Sequence, residues 1–208
     1  MLIEDKIMQL KEIYNESIFK STIALLFEEY GEKVYSLKRQ NDELNGLINK
    51  TIIMCCLTNK EEILGHISFR KPNSEDTVCS VVSVFVNKEH RAKGYGKIML
   101  SEFEKFAKSL GFNKIILGAR RGKENFYYSC GYQGEALLQA DKEVATKQEL
   151  KNILINCGLA QNKYVFRNEQ IHQYYFDAYK ALNSKQLLDT VDNSNGRLGL
   201  VVVFSKEL

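Results

Sequence analysis

An α+β fold, with a mixed and mostly antiparallel central sheet flanked by helices, is what the residues predict. Three observations predict it. Residues 51–57, 63–70 and 77–86 are β-branched, apolar runs joined by short connections, which favours antiparallel neighbours. Beyond Val86 the pattern changes to an amphipathic helix over 96–110 and a short apolar run over 113–118. That strand–helix–strand order implies one parallel pair. Finally, short strand and helix patterns alternate through 141–208, giving a small C-terminal α+β extension.

Each element has its own justification. Ile3, Ile7, Leu10 and Tyr14 recur at helical spacing, and 23–27 is densely apolar. Asn15 and Ser17 interrupt them, so two helices are expected before residue 30, with no first strand ahead of them. Residues 38–45 are polar and lead to the first strand. The segment 58–62 reads as a turn, and Pro72, Asn73, Ser74, Glu75 and Asp76 as a loop. The run TVCSVVSVFV over 77–86 is the strongest strand signal in the chain. Met99, Phe103, Phe106, Ala107 and Leu110 share one face of the helix that follows, and Gly111 ends it. A second helix over 123–130 stops at Gly131, and 132–139 returns as a strand. In the extension, 146–157 and 185–191 read as helices, and 164–167, 171–179 and 197–204 as strands. The expected division is a domain over 1–140 and a small unit over 141–208.

Composition excludes more than it assigns. The 208 residues carry 29 Lys and Arg against 26 Asp and Glu, a net charge of +3, too small to imply nucleic acid or a membrane surface. The five cysteines are odd in number and show no metal spacing, so they read as structural thiols of a reducing, cytoplasmic compartment with no metal. Residues 1–6 lack the pattern of a secretory signal.

The charge is unevenly placed. Between Lys88 and Lys123 there are ten basic and three acidic residues, an excess larger than that of the whole chain. The window opens with Arg91-Ala92-Lys93-Gly94-Tyr95-Gly96-Lys97, between the strongest strand and an amphipathic helix. Unpaired N–H groups and the positive dipole end at a helix start favour an anion. Glycines at 94 and 96 let the main chain approach a phosphate closely. A pyrophosphate or polyphosphorylated cofactor is the expected ligand. The complete P-loop and dinucleotide patterns are both absent.

Arg91-x-x-Gly94-x-Gly96 after Val84-x-Val86, followed by Phe126-Tyr127-Tyr128-Ser129-Cys130-Gly131-Tyr132, resembles the GNAT superfamily of acyl-CoA-dependent N-acetyltransferases over roughly residues 52–139. The resemblance implies transfer of an acetyl group from acetyl-CoA to a primary amine of a small molecule or peptide. It implies that backbone groups of Val84, Phe85 and Val86 meet the pantetheine arm. The main chain of Arg91, Ala92, Lys93, Gly94, Tyr95, Gly96 and Lys97 would bind the pyrophosphate. Tyr127 would protonate the leaving thiolate. Arg120 and Lys123 stand where the family often has Asn and a small residue. A non-catalytic CoA-binding sensor of the same fold is the alternative. Homodimer pairing through the C-terminal strand is left open.

The chemistry needs a neutral amine, donors at the thioester oxygen and an acid for the thiolate. No residue stands out as the base. Glu75, Asp76 and Glu89 read as surface carboxylates and His66 as a satisfied strand histidine, and a water chain could serve equally.

Overall fold

A computed structural model describes residues 8–32, 35–59, 62–71, 77–119 and 121–208. They form two compact units: residues up to Ile115 together with Glu207 and Leu208, and Ile116–Lys206.

In the first unit, Asn15 decides where helix begins. Its backbone is extended and its side-chain oxygen accepts the Ile18 amide at 3.2 Å, capping α1 (Glu16–Tyr30). Met8–Ile13 therefore cannot continue that helix backwards. They form a strand, β1, antiparallel to β2 (Ile52–Asn59), with Leu10 opposite Leu57 and Ile13 opposite Met54. The expected helix through Leu10 and Tyr14 is thus corrected, and so is the expected lack of a first strand. Ile3 and Ile7 lie outside the described residues. A ladder to a distant segment satisfies these backbone groups, which local periodicity could not foresee.

The polar stretch 38–45 is a second helix, α2 (Leu37–Ile48), capped by the Ser36 hydroxyl. Its inner face carries Glu43, Gly46 and Leu47, all buried. A Cβ on Gly46 would lie 2.7 Å from Ile52 Cδ1, so glycine is what lets α2 rest on β2. The meander continues with β3 (Glu62–Arg70) and β4 (Val78–Val86), each antiparallel to its predecessor. Residues 72–76, including Glu75 and Asp76, lie outside the described residues, as does Arg120.

Alternation along the strands separates two faces. Met54, Cys56 and Phe85 join Phe19, Ile23 and Leu26 of α1 and Leu47 of α2 in one core. Phe69, on the opposite face, meets Phe103 and Phe106 of α3 (Tyr95–Ser109) edge-on, with centroids at 5.3 and 6.2 Å.

The second unit takes up β5 (Lys114–Ala119) from Ile116 onward. Its strands follow the order β5-β9-β6-β8-β7, with β6 (Gln133–Asp141), β7 (Gln161–Arg167), β8 (Ile171–Asp177) and β9 (Gly199–Glu207). The pairs β6–β9, β6–β8 and β7–β8 are antiparallel. Its helices are α4 (Glu124–Ser129), α5 (Lys147–Asn156), α6 (Ala178–Asn183) and α7 (Lys185–Asp192). A capping box between Thr146 and Glu149 starts α5.

The expected division at 140/141 does not coincide with this one. β6 takes one neighbour from 171–177 and the other from 199–207, so the extension is built into the sheet that β6 belongs to. The C-terminal strand β9 lies between β5 and β6. The edge strand of this unit is β7.

Candidate active site

The loop over 88–97 is built by its own side chains. One 3-10 turn, Lys88–His90, follows β4, and Ala92 (φ +59°) and Gly94 (φ +84°) are left-handed before α3 begins. Arg91 anchors the loop. Its Nε donates to the Val86 carbonyl at 2.9 Å and a terminal nitrogen donates to Glu29 of α1 at 3.0 Å, while the guanidinium lies 5.3 Å from the Phe85 ring centroid. Lys93 Nζ donates to the Glu89 carbonyl at 2.7 Å, and His90 Nε2 meets Glu62 at 3.0 Å. Arg91, Ala92, Lys93, Gly94 and Lys97 are exposed, whereas Tyr95 and Gly96 are half-buried. The side chains of Arg91 and Lys93 thus shape the loop.

The start of α3 differs from that of the other described helices of eight residues or more. Asn15, Ser36, Thr146 and Ser184 cap α1, α2, α5 and α7 with side-chain oxygens. α3 starts at Gly94 with no side-chain cap and no acidic residue in its first turn. Lys97 N–H already donates to the Gly94 carbonyl. The amides of Gly94, Tyr95 and Gly96 remain as helix-terminal donors without an intrahelical acceptor. Two left-handed residues and an uncapped, basic helix start form a cradle that fits a pyrophosphate.

The strand leading into the loop is directional. Asn87 N–H donates to the Leu64 carbonyl, towards β3. Hydrogen-bonding sides alternate along a strand, so Phe85 also turns its amide and carbonyl to β3, opposite His66. Val84 and Val86 turn theirs to the other side, where the Val86 carbonyl receives Arg91. Of the three residues expected to meet the pantetheine arm, Val84 and Val86 turn their backbone groups away from β3 and Phe85 turns its towards it. Gly65 is required here, because a Cβ on it would lie 2.4 Å from the Phe85 carbonyl oxygen.

Tyr127 of α4 is buried, its ring centroid 5.1 Å from Phe126, 6.1 Å from Tyr132 and 5.2 Å from Phe204. Its neighbour Tyr128 is exposed, and burial of its hydroxyl with the charge of Glu124 raises its pKa.

On the face of the meander that carries α1 and α2, a buried polar chain runs through the first unit. The Tyr35 hydroxyl donates to Glu43 Oε2 at 2.8 Å, and Ser68 Oγ donates to Glu43 Oε1 at 3.4 Å. Ser68 Oγ is 2.7 Å from Ser83 Oγ, which is 3.2 Å from His66 Nε2. Burial lowers the His66 pKa to about 4, so its imidazole is neutral near pH 7. Burial, then the charge of Glu43, raises the Tyr35 pKa. Glu43 was not singled out from the sequence. The signal was there: a carboxylate four residues before Leu47, on the inward side of α2.

Burial raises the thiols of Cys55 and Cys79 to about 12 and of Cys56 to about 11, so all three stay protonated. Among the described residues no group of three or more His, Cys, Asp or Glu is placed to hold a metal ion. No described helix is long and apolar enough to cross a membrane.

Residues 10–132, more than half of the chain, match the model of the acetyltransferase (GNAT) family. The chain belongs to that family. Solved GNAT-type structures share its fold at low identity. An IAA acetyltransferase from Bacillus cereus is 13% identical, covers 97% of this chain and 99% of its own, and superposes with a TM-score of 0.54. A putative GNAT-family acetyltransferase from Desulfovibrio desulfuricans is 8% identical, with coverage of 82% and 98% and a TM-score of 0.51. An aminoglycoside 6'-acetyltransferase type Ii is 16% identical, with coverage of 96% and 97% and a TM-score of 0.51. The 88–97 loop falls inside the region matched by the family model, and 133–208 falls outside it.

Proposed function

We propose that this GNAT-family chain transfers an acetyl group from acetyl-CoA to a primary amine of a small molecule or peptide. The observation that carries the reading is the uncapped, exposed start of α3 within the region matched by the family model. Acetyl-CoA supplies a thioester, an acyl donor whose leaving group is a thiolate.

The chain's residues supply the rest. The amides of Gly94, Tyr95 and Gly96 hold the pyrophosphate, aided by the positive end of α3. Arg91 keeps the loop in the shape that presents them, through Val86 and Glu29. Val84 and Val86 direct backbone groups away from β3, as needed to align a pantetheine arm along β4.

Tyr127 donates a hydrogen bond to the departing sulfur. A phenol ordinarily ionises near 10 and a thiol near 8.5, so full proton transfer between them runs about 2 kcal/mol uphill. The hydrogen bond assists departure, and solvent completes protonation of the thiolate.

The test pairs binding with turnover. Acetyl-CoA at 100 times its Kd should stabilise the fold by about 2.7 kcal/mol. A panel of primary amines should then release free CoA thiol. A melting temperature indifferent to acetyl-CoA would remove the reading, and a shift without thiol release from any amine would leave a binding module.

A further inference from the structure

The proposed reaction requires that the acceptor amine lose a proton, and none of the roles given above to the loop, strand and tyrosine takes it up. The buried chain from Glu43 to His66 does, and its hydrogen bonds have a fixed direction. A carboxylate only accepts, so the single proton of Ser68 is committed to Glu43. Ser68 can then only accept from Ser83, which commits the proton of Ser83. With that proton spent, the contact between His66 and Ser83 requires an N–H on His66 Nε2. Every donor in the chain therefore points toward Glu43.

The members differ in access. His66, Ser68, Glu43 and Tyr35 are buried, and Ser83 is half-buried. Ser83 immediately precedes Val84 on β4, in the segment assigned to the cofactor arm. His66 Nε2–H takes one lone pair of Ser83 Oγ, and the other can receive an N–H from outside the chain.

We propose that Ser83 receives the proton of the acceptor amine and that Glu43, reached through Ser68, is where this proton charge ends. The proposal rests on the acetyltransferase reading. As the amine nitrogen bonds to the acetyl carbonyl carbon, its proton passes to Ser83 Oγ. The original Ser83 proton moves to Ser68 Oγ, and the original Ser68 proton moves to the Glu43 carboxylate. Both hydroxyls are re-formed, Glu43 becomes a neutral acid, and the carbon–sulfur bond breaks with its electron pair leaving on sulfur. Glu43 is a positioning and storage group that does not touch substrate. Tyr35 holds its second oxygen. The 3.4 Å step from Ser68 to Glu43 is the longest link, beyond the usual O–H···O range, so the proposed transfer requires it to shorten.

Steady-state kinetics of Glu43→Gln, Ser83→Ala and Ser83→Thr, with nitrogen-15 NMR of the histidines, tests this. Glu43→Gln and Ser83→Ala should each lower kcat by about 100-fold, within the range of general-base effects. KM for both substrates and the acetyl-CoA melting shift should stay within about twofold, and Ser83→Thr, which keeps a hydroxyl, should recover most of kcat. His66 in the wild-type protein should carry its proton on Nε2, whatever the activity. Wild-type kcat in both Glu43→Gln and Ser83→Ala, or a bare Nε2 on His66, overturns the relay while the acetyltransferase reading stands. Absence of an acetyl-CoA melting shift in the wild type overturns both, so the two failures are distinguishable.

Discussion

Arg91 donates from Nε to the carbonyl oxygen of Val86, five residues back along the chain and 2.9 Å away. That bond, with the second one to Glu29, closes the turn between β4 and α3 into a ring of fixed shape. Arg91→Ala should weaken acetyl-CoA binding about tenfold, and Arg91→Lys should not rescue it, because an ammonium lacks the guanidinium's fork. The residue is exposed, so the loss of fold stability should stay near 1 kcal/mol or below. Titration calorimetry with acetyl-CoA, set beside urea melts, measures both.

Gly94 is left-handed at φ +84°, and a Cβ there would meet nothing within 4 Å. The cost of Gly94→Ala is therefore backbone strain without a clash, about 1 kcal/mol. Strain is relieved by moving the amides that start α3, so acetyl-CoA affinity should fall. Gly94→Asn, which tolerates this conformation better, should lose less. Equal affinity of all three proteins would show that the loop does not bind the pyrophosphate.

Tyr127→Phe keeps the ring in the cluster with Phe126, Tyr132 and Phe204 and removes only the hydroxyl. On the proposed role, in which the tyrosine assists the thiolate by a hydrogen bond, kcat should fall about tenfold, equivalent to about 1.4 kcal/mol. The measurement is CoA-thiol release, and a fall of kcat by several thousandfold would contradict the modest role assigned here.

Gly65→Ala should be among the most damaging single changes in β3. The new Cβ would lie 2.4 Å from the Phe85 carbonyl oxygen and 3.1 Å from Val86 Cα, both main chain. Neither can yield without shifting the β3–β4 ladder, at a cost of about 2–3 kcal/mol. Urea denaturation of the variant gives the figure.

Acid should weaken the fold through His66. Its pKa is lowered by burial, from 6.5 to about 4. Between these values the unfolded chain binds a proton that the folded chain does not. The stabilisation is present above pH 6.5, is lost as pH falls through 4, and amounts to about 3 kcal/mol. His66→Gln should flatten that part of the stability–pH curve, which urea melts at pH 7, 5.5 and 4.5 would trace.

How much was legible in the residues depended on distance along the chain. The Arg91-x-x-Gly94-x-Gly96 loop is a local object whose strand, turn and helix are adjacent in sequence, and it could be read directly. β1 could not, because its partner β2 lies well down the chain and Leu10 and Tyr14 happen to fall at helical spacing. α2 was hidden by its own polarity, since its outer face carries Lys38, Arg39, Asn41 and Asp42. The same polarity concealed Glu43, which looks like one more solvated carboxylate until β3 brings Ser68 to it. His66 was read as a satisfied strand histidine. It is satisfied, but by Ser83, and its partner is what makes it interesting.

The position of β9 bears on how the chain matures as it is made. β5 and β6 are complete by Asp141, yet the strand that joins them is Gly199–Glu207. During synthesis these two strands emerge with a vacant slot between them and wait for the whole of α5, β7, β8, α6 and α7. Such late, long-range pairing is slow, and unpaired strand edges invite aggregation in the interval. Yield in a cell should therefore respond to chaperone supply and growth temperature more sharply than the finished protein's resistance to urea would suggest.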